Sequence, residues 1–149
     1  MIEGIVIEPL RQFMDERGKV MHMLRADSPL FTGFGEIYFS FVNPGVVKAW
    51  KRHKRMTLNY AVPVGNIKVV VYDDREGSPT KGRVEEYCIG QDNYCLLKIP
   101  PMVWSGFKGI STFPSLIANC ADLPHDPSEV DRIDFVKSTI PYDWELRHG

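Results

Sequence analysis

Cysteine is scarce in this chain: Cys88, Cys95 and Cys120 are its only thiols, far apart and with no C-x-x-C pair. An odd count at such spacing excludes a closed disulfide framework, so the three are expected to be packing residues. Charge of one sign is missing too. Eighteen Lys and Arg against nineteen Asp and Glu leave a formal charge of -1, which argues against nucleic-acid binding driven by global charge. No apolar run approaches the roughly 20 residues of a membrane helix, since even Ile37 to Val42 is broken by Ser40. Neither a membrane nor a nucleic acid is therefore an expected partner. The opening Met1-Ile2-Glu3-Gly4 has no basic region or apolar stretch of the secretory kind, so a cytoplasmic location is expected.

Helical periodicity is also lacking. What is present is a succession of short alternating or β-rich runs separated by Gly, Pro, Asn and Asp, within 149 residues, the length of one domain. Ten strands are expected: Ile2–Ile7, Lys19–Leu24, Gly35–Val42, Val46–Trp50, Leu58–Val62, Asn66–Tyr72, Val84–Ile89, Tyr94–Ile99, Val103–Phe107 and Ser115–Asn119. Ile37, Phe39 and Phe41 share one strand face, Ile67, Val69 and Val71 another, and both faces are expected in a core. Turn residues cluster between runs, as in Asn43-Pro44-Gly45 and Pro63-Val64-Gly65. From Pro124 onward the chain turns polar but keeps Tyr142 and Trp144, which suggests a docked strap.

The densest chemistry is Lys48-Ala49-Trp50-Lys51-Arg52-His53-Lys54-Arg55. A solvated basic loop is its plainest reading. Trp50 among the cations adds a second one, an indole stacked on a base or sugar beside phosphates. Gly45, Lys51, His53, Leu58 and Gly65 also stand at the spacing of the first cupin motif, whose metal-binding versions carry His, His and Glu at the three middle positions. Ser105, after Pro100-Pro101, stands where the second motif has its further histidine. A protonated lysine has no lone pair to give, so one histidine of four ligands cannot hold a metal. The expectation is an all-β, cupin-type (jelly-roll) antiparallel barrel with a short C-terminal extension, one domain over 1–149, with no metal and no cofactor.

Four ordered segments extend the likeness. Phe13-x-Asp15-x-Arg17-Gly18, Gly45-Val46-Val47-Lys48-Ala49-Trp50, Asp73-Asp74-Arg75-x-x-Ser78-Pro79-Thr80-x-Gly82, and Ile99-Pro100 with Gly106-Phe107 resemble segments of the dTDP-4-dehydrorhamnose 3,5-epimerases, the RmlC-like sugar epimerases. The resemblance implies an isomerase of surface polysaccharide synthesis that inverts carbons beside the carbonyl of a nucleotide-linked 4-keto sugar. It also implies a homodimer paired through N-terminal strands. Such chemistry needs a base, a group holding the enolate oxygen, and an acid on the other ring face.

In that family a histidine is the base, a lysine holds the enolate, a tyrosine is the acid, and arginines with an aromatic ring grip the diphosphate. By resemblance Phe13 and Arg17 are nucleotide-gripping, and Lys48 stands where the family has an arginine. The base position falls at Lys51, the H-G-F histidine at Ser105 and the enolate lysine at Leu58. The acid tyrosine falls at Asn119, or nearer His125 if the loop is shortened. Lys51, with the like charges of Arg52, Lys54 and Arg55 to favour its neutral amine, is a candidate replacement base, and His53 is an alternative. His125 is a candidate acid, and Asp134 stands for the aspartate that orients the base. Trp50, Ser105 and Asn119 complete the expected substrate contacts. A non-catalytic binder of a sugar nucleotide or carbohydrate is the competing reading.

Overall fold

In the computed structural model, which describes residues 1–146, strands account for nearly all regular structure. Strands β1 (Val6–Pro9), β9 (Cys95–Ile99), β6 (Leu58–Val64), β11 (Ser115–Ala121) and β4 (Glu36–Val42) form one antiparallel sheet in that order. A second contains, in order, β12 (Val130–Arg132), β5 (Val47–His53), β10 (Trp104–Gly109), β7 (Asn66–Tyr72) and β8 (Val84–Gly90). A separate hairpin pairs β2 (Gln12–Asp15) with β3 (Gly18–Met21). The two large sheets face each other as a cupin-like jelly roll without closing into one hydrogen-bonded barrel.

The inner faces carry the main core. Ile67, Val69 and Val71 alternate inward from β7 and meet Leu58, Val62, Leu97, Ile99 and Ile117 of the opposite sheet. Each such side chain contributes roughly 1.5–3 kcal/mol when fully buried. Val70 points the other way yet is equally buried, because the strap covers the outer face of the second sheet. There Ile140 and Trp144 pack on Trp50, Val70 and Trp104, a second and smaller core. The docked strap expected from its aromatics is therefore present.

The Asp73-to-Thr80 segment is a staple. Asp73 is fully buried and accepts from the Arg75 amide and guanidinium, the Ser78 hydroxyl and the Thr80 hydroxyl, while Arg75 also donates to the Glu3 carbonyl. These donors hold its carboxyl far below the usual range, with Arg75 the largest contributor.

Several boundaries differ from the sequence reading. Ile2 and Ile5 are core residues in a turn ahead of β1, and the strand expected at Lys19–Leu24 is the second arm of a hairpin turning at Glu16-Arg17. β12 is too short and polar to announce itself. Cys88 is exposed, unlike the buried Cys95 and Cys120. The largest correction concerns β4, where Ile37, Phe39 and Phe41 are 49%, 62% and 62% exposed instead of lying in the core. β4 is an edge strand, and its inward side chains are Tyr38 and Ser40.

Candidate active site

A bulge in β5 sorts the basic run onto two faces. Lys51 pairs with Ser105 and Lys48 with Phe107, so β5 advances three residues while β10 advances two. The extra residue resets the alternation: Val47, Ala49 and Trp50 pack outward, while Lys48 and Lys51 both line one cleft between the sheets. Gly106 sits beneath the bulge, where a Cβ would lie 2.4 Å from the Ala49 Cβ, so only glycine permits this approach.

Tyr38 and Ser40 of β4, Tyr60 of β6, Ile117 and Asn119 of β11, and Ser105 to Phe107 of β10 complete the walls. Asn119 lies in register with Tyr38 on one side and Tyr60 on the other. Its Nδ2 donates to the Tyr38 hydroxyl oxygen at 2.9 Å, and its Oδ1 accepts from the Asn59 amide at 3.1 Å. Tyr60 is buried, edge-on to Phe107 at 6.2 Å, and its burial, then the neighbouring Tyr38, push its pKa above the ordinary phenol range. Lys48 Nζ donates to the Phe41 carbonyl at 2.6 Å and the Ser40 hydroxyl at 3.3 Å, which joins the sheets at one end of the cleft.

Lys51 keeps exposed surface at the mouth of the cleft, yet its pKa is lowered, first by loss of water around the amine and then by the charges of Arg132 and Lys48. Arg132 is its register partner on β12. The cations expected to exert this effect do not. Arg52 binds Asp131 at 2.8 Å and Asp74 at 3.5 Å, Lys54 lies 3.8 Å from Asp131, and Arg55 lies 3.7 Å from Asp126.

The remaining sequence candidates lie elsewhere. Trp50 is buried under the strap against Tyr142 and Trp144, with no open face for a base, which corrects its assignment to substrate. His53 pairs through Nδ1 with the buried Glu129, whose other oxygen accepts from the Arg55 and Met56 amides. His125 is exposed in the loop before the Pro127–Glu129 turn, and Asp134 is exposed and caps a turn through the Val136 amide. Neither reaches the cleft. Phe13 and Arg17 line a shallow groove on the β2–β3 hairpin, where Arg17 is held by Asp15 at 2.6 Å. Leu58 is core. Of the candidates, the structure thus gathers Lys48, Lys51, Ser105 and Asn119, and adds Tyr38, Ser40 and Tyr60. Among the described residues, no three His, Cys, Asp or Glu side chains come together in a way that could hold a metal ion, and no helix is long and apolar enough to cross a membrane.

Comparison with known proteins gives this cleft its family. The family model described as dTDP-4-dehydrorhamnose 3,5-epimerase matches residues 1–148. The chain belongs to that family. The Haloferax volcanii protein named "probable low-salt glycan biosynthesis epimerase Agl13" is 37% identical over 153 residues, covering 99% of this chain and 98% of its own. The spore coat polysaccharide biosynthesis protein SpsL of Bacillus subtilis is 34% identical over 146 residues, covering 97% of each. The crystal structure of the dTDP sugar isomerase from Desulfovibrio desulfuricans superposes with a TM-score of 0.93 at 53% identity, over 96% of this chain and 92% of that one. The epimerase resemblance of the four sequence segments thus extends over residues 1–148.

Proposed function

We propose that this protein is a nucleotide-sugar epimerase of glycan or polysaccharide biosynthesis, acting on a dTDP-linked 4-keto-6-deoxyhexose, with Lys51 as its base. One observation carries the reading: the cleft presents a lysine whose ammonium form is disfavoured, among neutral hydrogen-bonding groups and beside a second lysine. The neutral Lys51 amine removes a proton from a carbon next to the carbonyl. Ser105, opposite Lys51 in register, donates to the oxygen on which the enolate charge develops. Lys48 neutralises a phosphate at the other end of the cleft.

The reading includes a homodimer. The outward apolar face of β4 and the exposed Phe13, Met14 and Val20 of the hairpin form more apolar edge than a single chain keeps uncovered. A second copy laid on them brings the Phe13 and Arg17 groove into an assembly with the cleft. Sedimentation at micromolar concentration showing monomer alone would remove this part.

Incubation with dTDP-4-keto-6-deoxyglucose in deuterium oxide tests the activity. The expected result is deuterium at a carbon flanking the carbonyl. Firm dTDP-sugar binding with no deuterium incorporation favours the non-catalytic binder instead.

A further inference from the structure

Inversion at carbon needs more than a base: the proton must return to the opposite face of the flattened ring, so a donor must stand across the cleft from Lys51. Lys51 projects from β5 of one sheet. The facing wall belongs to the other sheet, and its chemistry-bearing side chains are Tyr38, Ser40, Tyr60 and Asn119. Asn119 is an amide and cannot give up a proton at neutral pH. Ser40 receives the Lys48 ammonium. Tyr60 is 9% exposed, with its ring packed against Phe107 and its proton held more tightly than usual. Tyr38 is 40% exposed, and its hydroxyl oxygen already accepts a hydrogen bond from Asn119 Nδ2. That bond occupies a lone pair, leaves the O–H free to point toward a ligand, and strengthens as negative charge develops on the oxygen.

We infer that Tyr38 is the catalytic proton donor opposite Lys51, and that Asn119 is its positioning residue. This rests on the epimerase reading above. Lys51 Nζ takes the proton as the C–H bond breaks, and the electron pair moves to the carbonyl oxygen. As the carbonyl re-forms, the carbon takes the Tyr38 proton on its other face, leaving a phenolate held by the Asn119 amide. Water then returns a proton to Tyr38 and removes one from the Lys51 ammonium, so the cycle closes with no oxidant or further reactant. The residue escapes sequence reading because it lies on the face of β4 that alternation assigns to solvent.

The test separates proton exchange from inversion, using Tyr38→Phe and dTDP-4-keto-6-deoxyglucose in deuterium oxide. The unaltered protein is expected to give deuterated, inverted product. Tyr38→Phe is expected to keep Lys51-dependent deuterium exchange into substrate of retained configuration, while inversion falls by about 10²-fold or more. dTDP affinity, read by calorimetry, should stay within a few fold. Inversion at the parental rate in Tyr38→Phe overturns the assignment. So does loss of exchange together with inversion while dTDP still binds, because Tyr38 would then act at the abstraction step. Absence of exchange in the unaltered protein overturns the epimerase reading, and the donor role with it.

Discussion

The two faces of the second sheet carry the same residue types to different ends. On the outer face Arg52 is matched by Asp131 and Asp74 and lies 4.6 Å from the centre of the Trp104 ring, and just past the end of β5 Lys54 and Arg55 are matched by Asp131 and Asp126. On the inner face Lys48 and Lys51 have no acid among the residues lining their cleft, and the cation in register with Lys51 is Arg132. One set of cations holds the strap; on the other face loss of water and neighbouring positive charge disfavour the ammonium form of Lys51. A charge run therefore says little until each cation has been assigned to a face. A single bulge made that assignment here.

The sharpest way to break this contrast is Lys51→Ala, which is expected to reduce deuterium exchange by about 10²–10⁴-fold while dTDP affinity changes only a few fold. Next comes Trp144→Ala on the outer face. Removing this buried indole from its contacts with Trp50 and Tyr142 should cost about 3 kcal/mol in urea unfolding, with exchange per folded molecule within a few fold of the parent. Lys48→Ala should weaken dTDP binding by about 1.5–3 kcal/mol, the range for a charge-assisted hydrogen bond, as read by calorimetry.

Acid should separate the faces as well. Asp131 is held below its ordinary value chiefly by Arg52. For Glu129, burial works in the raising direction but is outweighed by His53 and the Arg55 and Met56 amides. A carboxylate whose folded pKa is depressed stabilises the fold fully above its unfolded value, about 4, and ceases to do so as pH falls through the folded value. Tryptophan emission should therefore report loosening of the strap below about pH 4. Lys51 has the opposite sign: its charged form is disfavoured in the fold, a cost present at low pH and relieved as pH rises toward its unfolded pKa. The smallest effect belongs to Arg55→Ala, whose exposed partner makes a change of about 0.5 kcal/mol or less the expected result in urea unfolding, with dTDP affinity unaltered.

Much of this was legible in the residues. Strand positions followed from alternation, most clearly in Ile67, Val69 and Val71. Lys48, Lys51, Ser105 and Asn119, read from resemblance, do share one cleft. What failed did so for physical reasons. Alternation tells which side chains share a face but not which face is inward; on an edge strand whose Tyr38 and Ser40 line one wall of the cleft, the apolar set of β4 points out. Tyr60 was hidden inside the apolar run Leu58–Val62, and its neighbour Tyr38 arrives from a strand paired two positions away in the sheet. Trp50 faces the strap and not the cleft because a bulge resets a period-two count without any mark in the residue types. His53 looked chemical, but its partner Glu129 lies 76 residues on and could not be read from the basic run.

Lys51→Arg isolates the base function of Lys51, because it keeps the positive charge and the length of the side chain while removing its ability to act as a base near neutral pH. Deuterium incorporation into dTDP-4-keto-6-deoxyglucose should be read for this variant beside its dTDP affinity. Lys51 as the base requires loss of exchange as complete as in Lys51→Ala, with binding preserved. Exchange at the parental rate in the arginine variant would contradict it.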